Sequence, residues 1–543
     1  MNYRLLSRTL GIICSLFAVT MLFSLPWAHP SLGYRAAEGL PLPTEVEWQG
    51  VLGLLASSLI SAAVGGVFMW LGRGNTSPKL FRKEAMATVG LSWILATLLG
   101  ALPFLLSGTH SAAGVPISIA DALFESQSGF STTGATILTD LEDPLLVPHC
   151  ILFWRSSTHF LGGLGIVVLL VAILGQGASG KAMMRAEITG PTKDSAFSRM
   201  QQTALVFATI YVVLNIILAI IYGLCGMSVF DALCHAFGTM ATGGFSTYNA
   251  SLGHFDSSWI DYITVLFMIL AGTNFALLLL VVTGSWEKLI KDVEWRVYIG
   301  ILVLVTAAVM LFGLWSKNFT GFVPALRYSL FQVVSIMTTT GYGTHDYDSW
   351  NNFGRGVLIL LMFVGGCAGS TGGGMKVIRH VLLAKILRLE LELAYRPRVV
   401  RPLVLGDQVL DDLNLRKNIL VYFGLVGAVS ACSWLFLITT EPDQQWKPTI
   451  EVVADSSVPT TASRSPAEQL KKDLLGNKLL DCASAIAATL HNIGPGLGVV
   501  GPTANYAGFA PWSKLLFVFL MMLGRLEMFS ILVLFVPAFW RRI

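Results

Sequence analysis

Charge is scarce in this chain. Asp, Glu, Lys and Arg make up 13% of its 543 residues, against about 25% in an ordinary soluble domain. Cysteine is sparse too. The seven thiols (Cys14, Cys150, Cys225, Cys234, Cys367, Cys432, Cys482) are odd in number and include no CxxC pair, which supports neither a disulfide framework nor a zinc site. No basic stretch is interleaved with aromatics on a polar segment, so the net charge of +4 does not indicate nucleic acid.

Hydrocarbon is abundant instead. Hydrophobic residues are 54% of the chain and mean hydropathy is +0.67. Apolar runs near 9–28, 49–71, 87–107, 150–175, 203–226, 258–284, 296–315, 353–387, 417–439 and 512–540 approach or exceed the roughly 20 residues that cross a bilayer as helix. The expected class is an all-α polytopic membrane protein with ten crossings. The first run, from Thr9, is longer than the roughly 7–15 residues of a signal-peptide core and reads as a retained helix.

Basic residues collect on one side of these spans. With Arg4 and Arg8 in the cytoplasm, the inner connections hold Arg73, Lys79, Arg82 and Lys83, then Lys181, Arg185, Lys193 and Arg199, then Lys288, Lys291 and Arg296. A dense set from Lys376 to Lys417 follows, with Arg541 and Arg542 at the end, so 24 of 36 Lys and Arg lie inside. The outer loop 137–149 has three acids and no Lys or Arg. This bias orients both termini to the cytoplasm.

A fourfold repeat organises the rest. Span, short helix, glycine-broken loop and span recur around "FSTTGAT" (130–136), "MATGGFST" (240–247), "MTTTGYGT" (337–344) and "HNIGPGLG" (491–498). The units are 87–200, 201–290, 291–400 and 401–543, after two extra N-terminal helices in 1–86. Aligning Gly134, Gly243, Gly341 and Gly494 puts Asp121, Asp231 and Asp481 12 or 13 residues upstream. Asp suits a helix start, so each loop is expected to follow a short helix of about three turns. An outer connection, 440–478, is long and has no assigned role.

Taken singly, each loop reads equally well as a tight turn outside the membrane. Four at equivalent points read differently. Irregular backbone at membrane depth must be buried in protein or line a watery cavity. Glycine lets successive carbonyls turn the same way, and rings of carbonyls and Thr hydroxyls can replace the hydration shell of potassium. Helix C-termini aimed at the same centre favour a cation.

These loops, with "NIGPGLG", carry a resemblance over essentially the whole chain to the Trk/Ktr/HKT superfamily of potassium transporters, and within it to the TrkH-type membrane subunit. The resemblance implies a filter built from Thr132, Thr133 and Gly134, from Thr242 and Gly243, from Thr340, Gly341 and Tyr342, and from Asn492, Ile493 and Gly494. In the family, glycine at all four key positions goes with potassium, whereas serine at the first goes with sodium. The ion is cargo, and no organic cofactor is expected. The resemblance also implies an inner-membrane location, contact with lipid, a homodimer, and a cytoplasmic nucleotide-binding regulatory subunit of the TrkA kind.

Two features lie below the loops. "GGCAGSTGGGMK", Gly365 to Lys376, interrupts a span with glycines that each cost a helix about 1 kcal/mol relative to alanine. It nearly fits a phosphate loop but has Met375 where lysine is required and no preceding strand. A glycine-rich packing face in an unbroken helix is another reading. The resemblance makes Gly369, Gly372, Gly373 and Gly374 part of an intramembrane gate. Arg525, in "FLMMLGRLEMF", is expected near the middle of its helix, where arginine costs at least about 2.5–3.5 kcal/mol and faces a cavity or partner. It reads either as a pore charge that completes the gate or as half of a structural ion pair. Glu527, two positions on, is a poor direct partner.

His235 and His491 read as packed or hydrogen-bonded residues of the short helices. Asp346 and Asp348 either enrich cations at the outer mouth or are solvated loop acids. The chain is thus expected to be a non-enzymatic potassium permeation subunit. The conducting subunit of a Kdp-type pump, or a membrane enzyme using the glycine-rich loop, remains open from the residues alone.

Overall fold

A computed structural model describes residues 1–33, 45–74, 82–165, 200–397, 403–405, 408–410, 413–446 and 466–541. Helices dominate, and among these residues the only strands form two short hairpins, 110–116 and 403–410. The two N-terminal helices, α1 (Tyr3–Leu22) and α2 (Trp48–Leu71), pack backbone to backbone. A Cβ on Gly11 would lie 2.8 Å from the Gly65 carbonyl oxygen, the close approach that small residues give membrane helices.

Four units follow. The first is α3 (Arg82–Gly100), α4 (Ile119–Phe130) and α5 (His149–Leu164). The second is α6 (Met200–Leu224), α7 (Val229–Met240), α8 (Ser258–Ala271) and α9 (Phe275–Val282). The third is α10 (Val293–Trp315), α11 (Phe322–Met337), α12 (Asn352–Leu361) and α13 (Val377–Tyr395). The fourth is α14 (Leu413–Thr440), α15 (Pro466–Leu490), α16 (Pro511–Arg525) and α17 (Phe529–Leu532).

Among the described residues six helices are individually long and apolar enough to cross a bilayer, and eight if each sharply bent pair counts as one span. The sequence suggests ten. Its run 150–175 leaves the described residues after Gly165, and its run 353–387 is not one helix. The second span of a unit tends to break. The bend is 104° between α8 and α9 and 116° between α16 and the short helices that follow, while residues 362–376 separate α12 from α13.

The short helices are capped differently from expectation. Asp121 and Asp231 are not the cap residues. Ser118 and Ser228 are, each accepting from the Asp N–H three residues on, at 3.2 and 3.0 Å. Asp121 completes a capping box, with both orphan donors satisfied. Three turns holds for α4 and α7, with 12 residues each, but α11 has 16 and α15 has 25. Asp481 therefore lies inside a long helix, where its carboxylate accepts from Trp446 Nε1 at 3.0 Å. Of the outer connection 440–478, residues 447–465 fall outside the described set, as do Lys79, Lys181, Arg185, Lys193, Arg199, Arg398, Arg401 and Arg542.

Glycines in the second spans let the short helices approach them. A Cβ on Gly162 would lie 1.9 Å from the Phe130 carbonyl oxygen, and one on Gly524 2.0 Å from that of Leu490. These oxygens end α4 and α15. Gly162→Ala and Gly524→Ala should each destabilise the purified protein by about 3 kcal/mol, the upper range for overpacking. Gly424, where an added methyl would meet nothing within 4 Å, should tolerate alanine and gain up to about 1 kcal/mol. Thermal unfolding in detergent checks both expectations.

Candidate functional site

The four glycine-broken loops have one backbone conformation. In each, the residue two before the key glycine is left-handed: Thr132 (φ +53°), Thr242 (+53°), Thr339 (+62°) and Asn492 (+56°). The residue after it donates its N–H five residues back: Thr133 to Ser128, Gly243 to Gly238, Thr340 to Ser335 and Ile493 to Ala488, at 2.8–2.9 Å. Then comes a left-handed glycine: Gly134 (+79°), Gly244 (+75°), Gly341 (+79°) and Gly494 (+96°).

This register differs from the sequence alignment at one place. Gly244, not Gly243, is equivalent to Gly134, Gly341 and Gly494. Gly243 takes the position of Thr133, Thr340 and Ile493, and Thr242 that of Thr132. With two adjacent glycines the letters fit either way; only the dihedrals separate them.

The loops meet in a closed cycle. A Cβ on Gly134 would lie 2.1 Å from the Gly243 carbonyl oxygen, one on Gly244 1.9 Å from that of Thr340, one on Gly341 1.9 Å from that of Ile493, and one on Gly494 2.5 Å from that of Thr133. Each contact leaves room for hydrogen and for nothing larger. A polar cavity on one side of the cycle is lined by Gly134, Gly244, Gly341 and Gly494. The helices α4, α7, α11 and α15 all end at these loops, so their partly negative C-termini converge there.

Side chains complete the ring unequally. Asn492 Nδ2 donates to Thr133 Oγ1 (3.0 Å) and to the Met521 carbonyl (2.9 Å), joining the fourth loop to the first. Thr340 Oγ1 lies 2.8 Å from Thr338 Oγ1. At Gly243 the space is filled by the His159 ring, 2.6 Å from where a Cβ would sit. The Thr132 hydroxyl is buried without a hydrogen-bond partner, whereas Thr242 donates to Ala241 O. Tyr342 points away from the cycle, its hydroxyl donating to the His235 and Phe245 carbonyls at 3.2 Å. His235 bonds Asp231 O and Ser246 Oγ, and His491 packs edge-on against Phe363.

The glycine-rich stretch lies directly against the third and fourth loops and is not helical. Gly373 N–H donates to Thr339 Oγ1 at 2.7 Å, and a Cβ on Gly373 would sit 2.6 Å from Asn492 Cβ. A Cβ on Gly372 would lie 3.1 Å from the Thr338 carbonyl oxygen and one on Gly374 3.2 Å from that of His491, while Gly369 and Gly374 are left-handed (φ +72° and +64°). Glu294 holds both ends, accepting from Ala368 N–H (2.7 Å) and Ile378 N–H (3.1 Å). Lys376 folds back to donate to Gly372 O and Gly373 O. Met375 stands where a phosphate loop has its lysine, and helix α12, not a strand, precedes the stretch.

Arg525 is the last residue of α16 rather than the middle of an unbroken helix. The chain turns there through Glu527 (φ +51°) and Met528 (φ +64°). The guanidinium donates from Nη1 to Thr371 O in the glycine-rich stretch and from Nη2 to Gly162 O, both at 2.6 Å. Glu527 pairs with Arg379 at the start of α13.

Comparison with known proteins shows the family. The sequence profile of TrkH, described as cation transport protein, matches residues 54–440 and 475–542. The chain belongs to the TrkH family. The break between the matched stretches falls in the long outer connection. The Trk system potassium uptake protein TrkH of Salmonella typhimurium is 35% identical over the full length of both chains, and that of Escherichia coli K12 34%. The crystal structure of the potassium transporter TrkH from Vibrio parahaemolyticus covers all of both chains with a TM-score of 0.79 at 33% identity.

Several residues at the site are not singled out by the sequence reading: Gly244, His159, Glu294 and the buried pair Glu125–Arg155. Arg155 and His159 are visible as polar letters inside the apolar run 150–175, a signal in itself. The register has a direct test. Gly244→Ala should abolish ion uptake in cells, because the methyl meets a fixed carbonyl. Gly243→Ala combined with His159→Ala should retain uptake, because the obstacle there is a removable ring. The reverse ranking would restore the sequence alignment.

Proposed function

We propose that this chain carries potassium into the cell across the bacterial inner membrane, with both termini cytoplasmic. The carrying observation is the cyclic contact of four left-handed glycines with the carbonyls of Thr133, Gly243, Thr340 and Ile493. Such a ring offers oxygen ligands in place of water, and four helix C-termini add a favourable field. Gly134 at the first position supports potassium over sodium. The relatives named potassium uptake proteins support the same cargo.

Control lies beneath the ring. The segment from Gly369 to Gly374 is packed against the third and fourth loops and, with Arg525, forms the gate. A fixed positive charge in so enclosed a place opposes a neighbouring cation far more than it would in bulk water. The relatives belong to a multi-component Trk system, which supports a nucleotide-binding regulatory subunit on the cytoplasmic face and pairing of two copies of this chain. The basic inner segments from Lys376 onward suit that face and anionic lipid alike.

Three outcomes are expected. The chain, supplied with its regulatory partner, should restore growth at low potassium to a host lacking potassium uptake; failure with every candidate partner would overturn the proposal. In vesicles, Arg525→Ala or deletion within 369–374 should raise potassium flux on the order of tenfold, the scale that 1.4 kcal/mol sets. Unchanged flux in both would remove the gate. The third outcome concerns the outer mouth, where Asp348 accepts from Gly498 N–H at 3.0 Å. Its carboxyl is pushed up to about 6, first by burial and then by the Asp346 charge. A carboxyl so raised is neutral below that pH and charged above it. Acidifying the outer solution from about pH 7.5 to about 5 should therefore lower uptake at limiting potassium, and Asp348→Asn should remove that part of the pH dependence.

A further inference from the structure

Outside the ring of carbonyls, every junction between neighbouring loops is bridged by one buried polar strut. Between the third and second loops the bridge is Tyr342, whose hydroxyl reaches Phe245 O. Between the third and fourth it is Tyr347, whose hydroxyl donates to Gly496 O at 2.8 Å. Between the fourth and first it is Tyr506. Its N–H donates to Thr136 O and its hydroxyl to Gly494 O, both at 2.8 Å.

The junction of the first and second loops is bridged by charge. Glu125, on α4, accepts from Thr136 Oγ1 and, at 2.7 Å, from Ile137 N–H just after the first loop. Its other oxygen pairs with Arg155 Nε on α5 at 2.9 Å. Arg155 Nη1 donates onward to Ser246 O at 2.9 Å, and its guanidinium lies 3.4 Å from the centre of the Phe245 ring. All five side chains are buried.

We infer that Glu125–Arg155, Tyr342, Tyr347 and Tyr506 form a closed collar that sets the diameter of the ring and thereby its discrimination among alkali cations. The inference rests on the filter reading above and assigns its positioning residues. The geometry requires such a collar. The glycine-against-carbonyl contacts resist compression but not expansion, and at their level a hydrogen bond from Asn492 to Thr133 ties the fourth loop to the first. Struts in tension outside them supply the missing restraint. Removing a strut should let the ring widen or distort, altering its preference between ions of different radius rather than simply its throughput. A charge-assisted pair is stronger than a neutral bond, and here each partner has further bonds, Glu125 from Thr136 and Ile137 and Arg155 to Ser246 O.

The test uses the full-length protein in liposomes, with fluxes of potassium, rubidium and sodium measured separately. Tyr342→Phe and Tyr506→Phe each remove one hydroxyl and little else. Each should reduce the potassium-to-sodium flux ratio at least threefold, and the double variant should reduce it further. Tyr211→Phe loses a buried hydroxyl bonded to Phe160 O, away from the collar, and should keep the wild-type ratio. Glu125→Gln should shift the ratio as well, but if it fails to fold the tyrosine variants decide alone. Lower thermal stability with an unmoved ratio in both singles and the double would make the residues merely structural and overturn the inference. A wild-type protein that does not distinguish potassium from sodium would overturn the filter reading itself.

Discussion

A peptide carbonyl cannot both close its own helix and turn to face a neighbouring loop. In this molecule four carbonyls must be released from hydrogen-bonded structure where hydrocarbon surrounds the protein and unpaired polar groups are costly. The rest of the architecture follows from accommodating them. The short helices stop where the release begins, and a bond five residues back closes each end. Two residues per loop take left-handed dihedrals. The second of these is always glycine, since the next loop's carbonyl stands where a side chain would begin.

Below the ring the same constraint is met by different means. Residues 362–376 are too irregular to satisfy themselves, so neighbours supply their partners. Glu294 accepts from Ala368 N–H in the segment and from Ile378 N–H just after it, Thr339 accepts from Gly373 N–H, Arg525 donates to a carbonyl, and the segment's own Lys376 folds back onto another. Three charges and a hydroxyl thus replace the helical ladder. Contacts of this sort are individually modest, about 1.5–3 kcal/mol for bonds to charged groups. They can therefore be exchanged for others, which the same segment locked in a continuous helix could not do.

Much of this was legible in the sequence because it is written in glycine and in misplaced polarity. The four loops, their spacing along the chain and the break around Gly365–Lys376 all stand out against apolar surroundings. The repeat also announced itself through layout even where its letters had diverged. What escaped reading depended on dihedrals or on long-range partners. Gly243 and Gly244 are the same letter, and their roles differ only in φ. Arg525 reads as central because it falls midway along the mostly apolar run 512–540. The turn at Glu527 and Met528 uses no glycine or proline, so nothing in the letters marks it. Asp121 and Asp231 suggested caps at the correct helix ends. The serines three residues before them do the capping and carry less weight to the eye.

Arg525 belongs to the fourth unit, yet it grips a carbonyl of the first and one of the third. Its reach bears on why the four units share a chain. Four identical subunits could build the ring of carbonyls, but any residue on their axis would appear four times. A central arginine would become a cluster of four positive charges, and a glycine-rich plug would have to coexist with three copies of itself. Joining the quarters covalently lets one of them carry a single charge and another a single plug while all four keep the ring. The fourfold likeness is kept in the ring of loops and given up in what is packed beneath it.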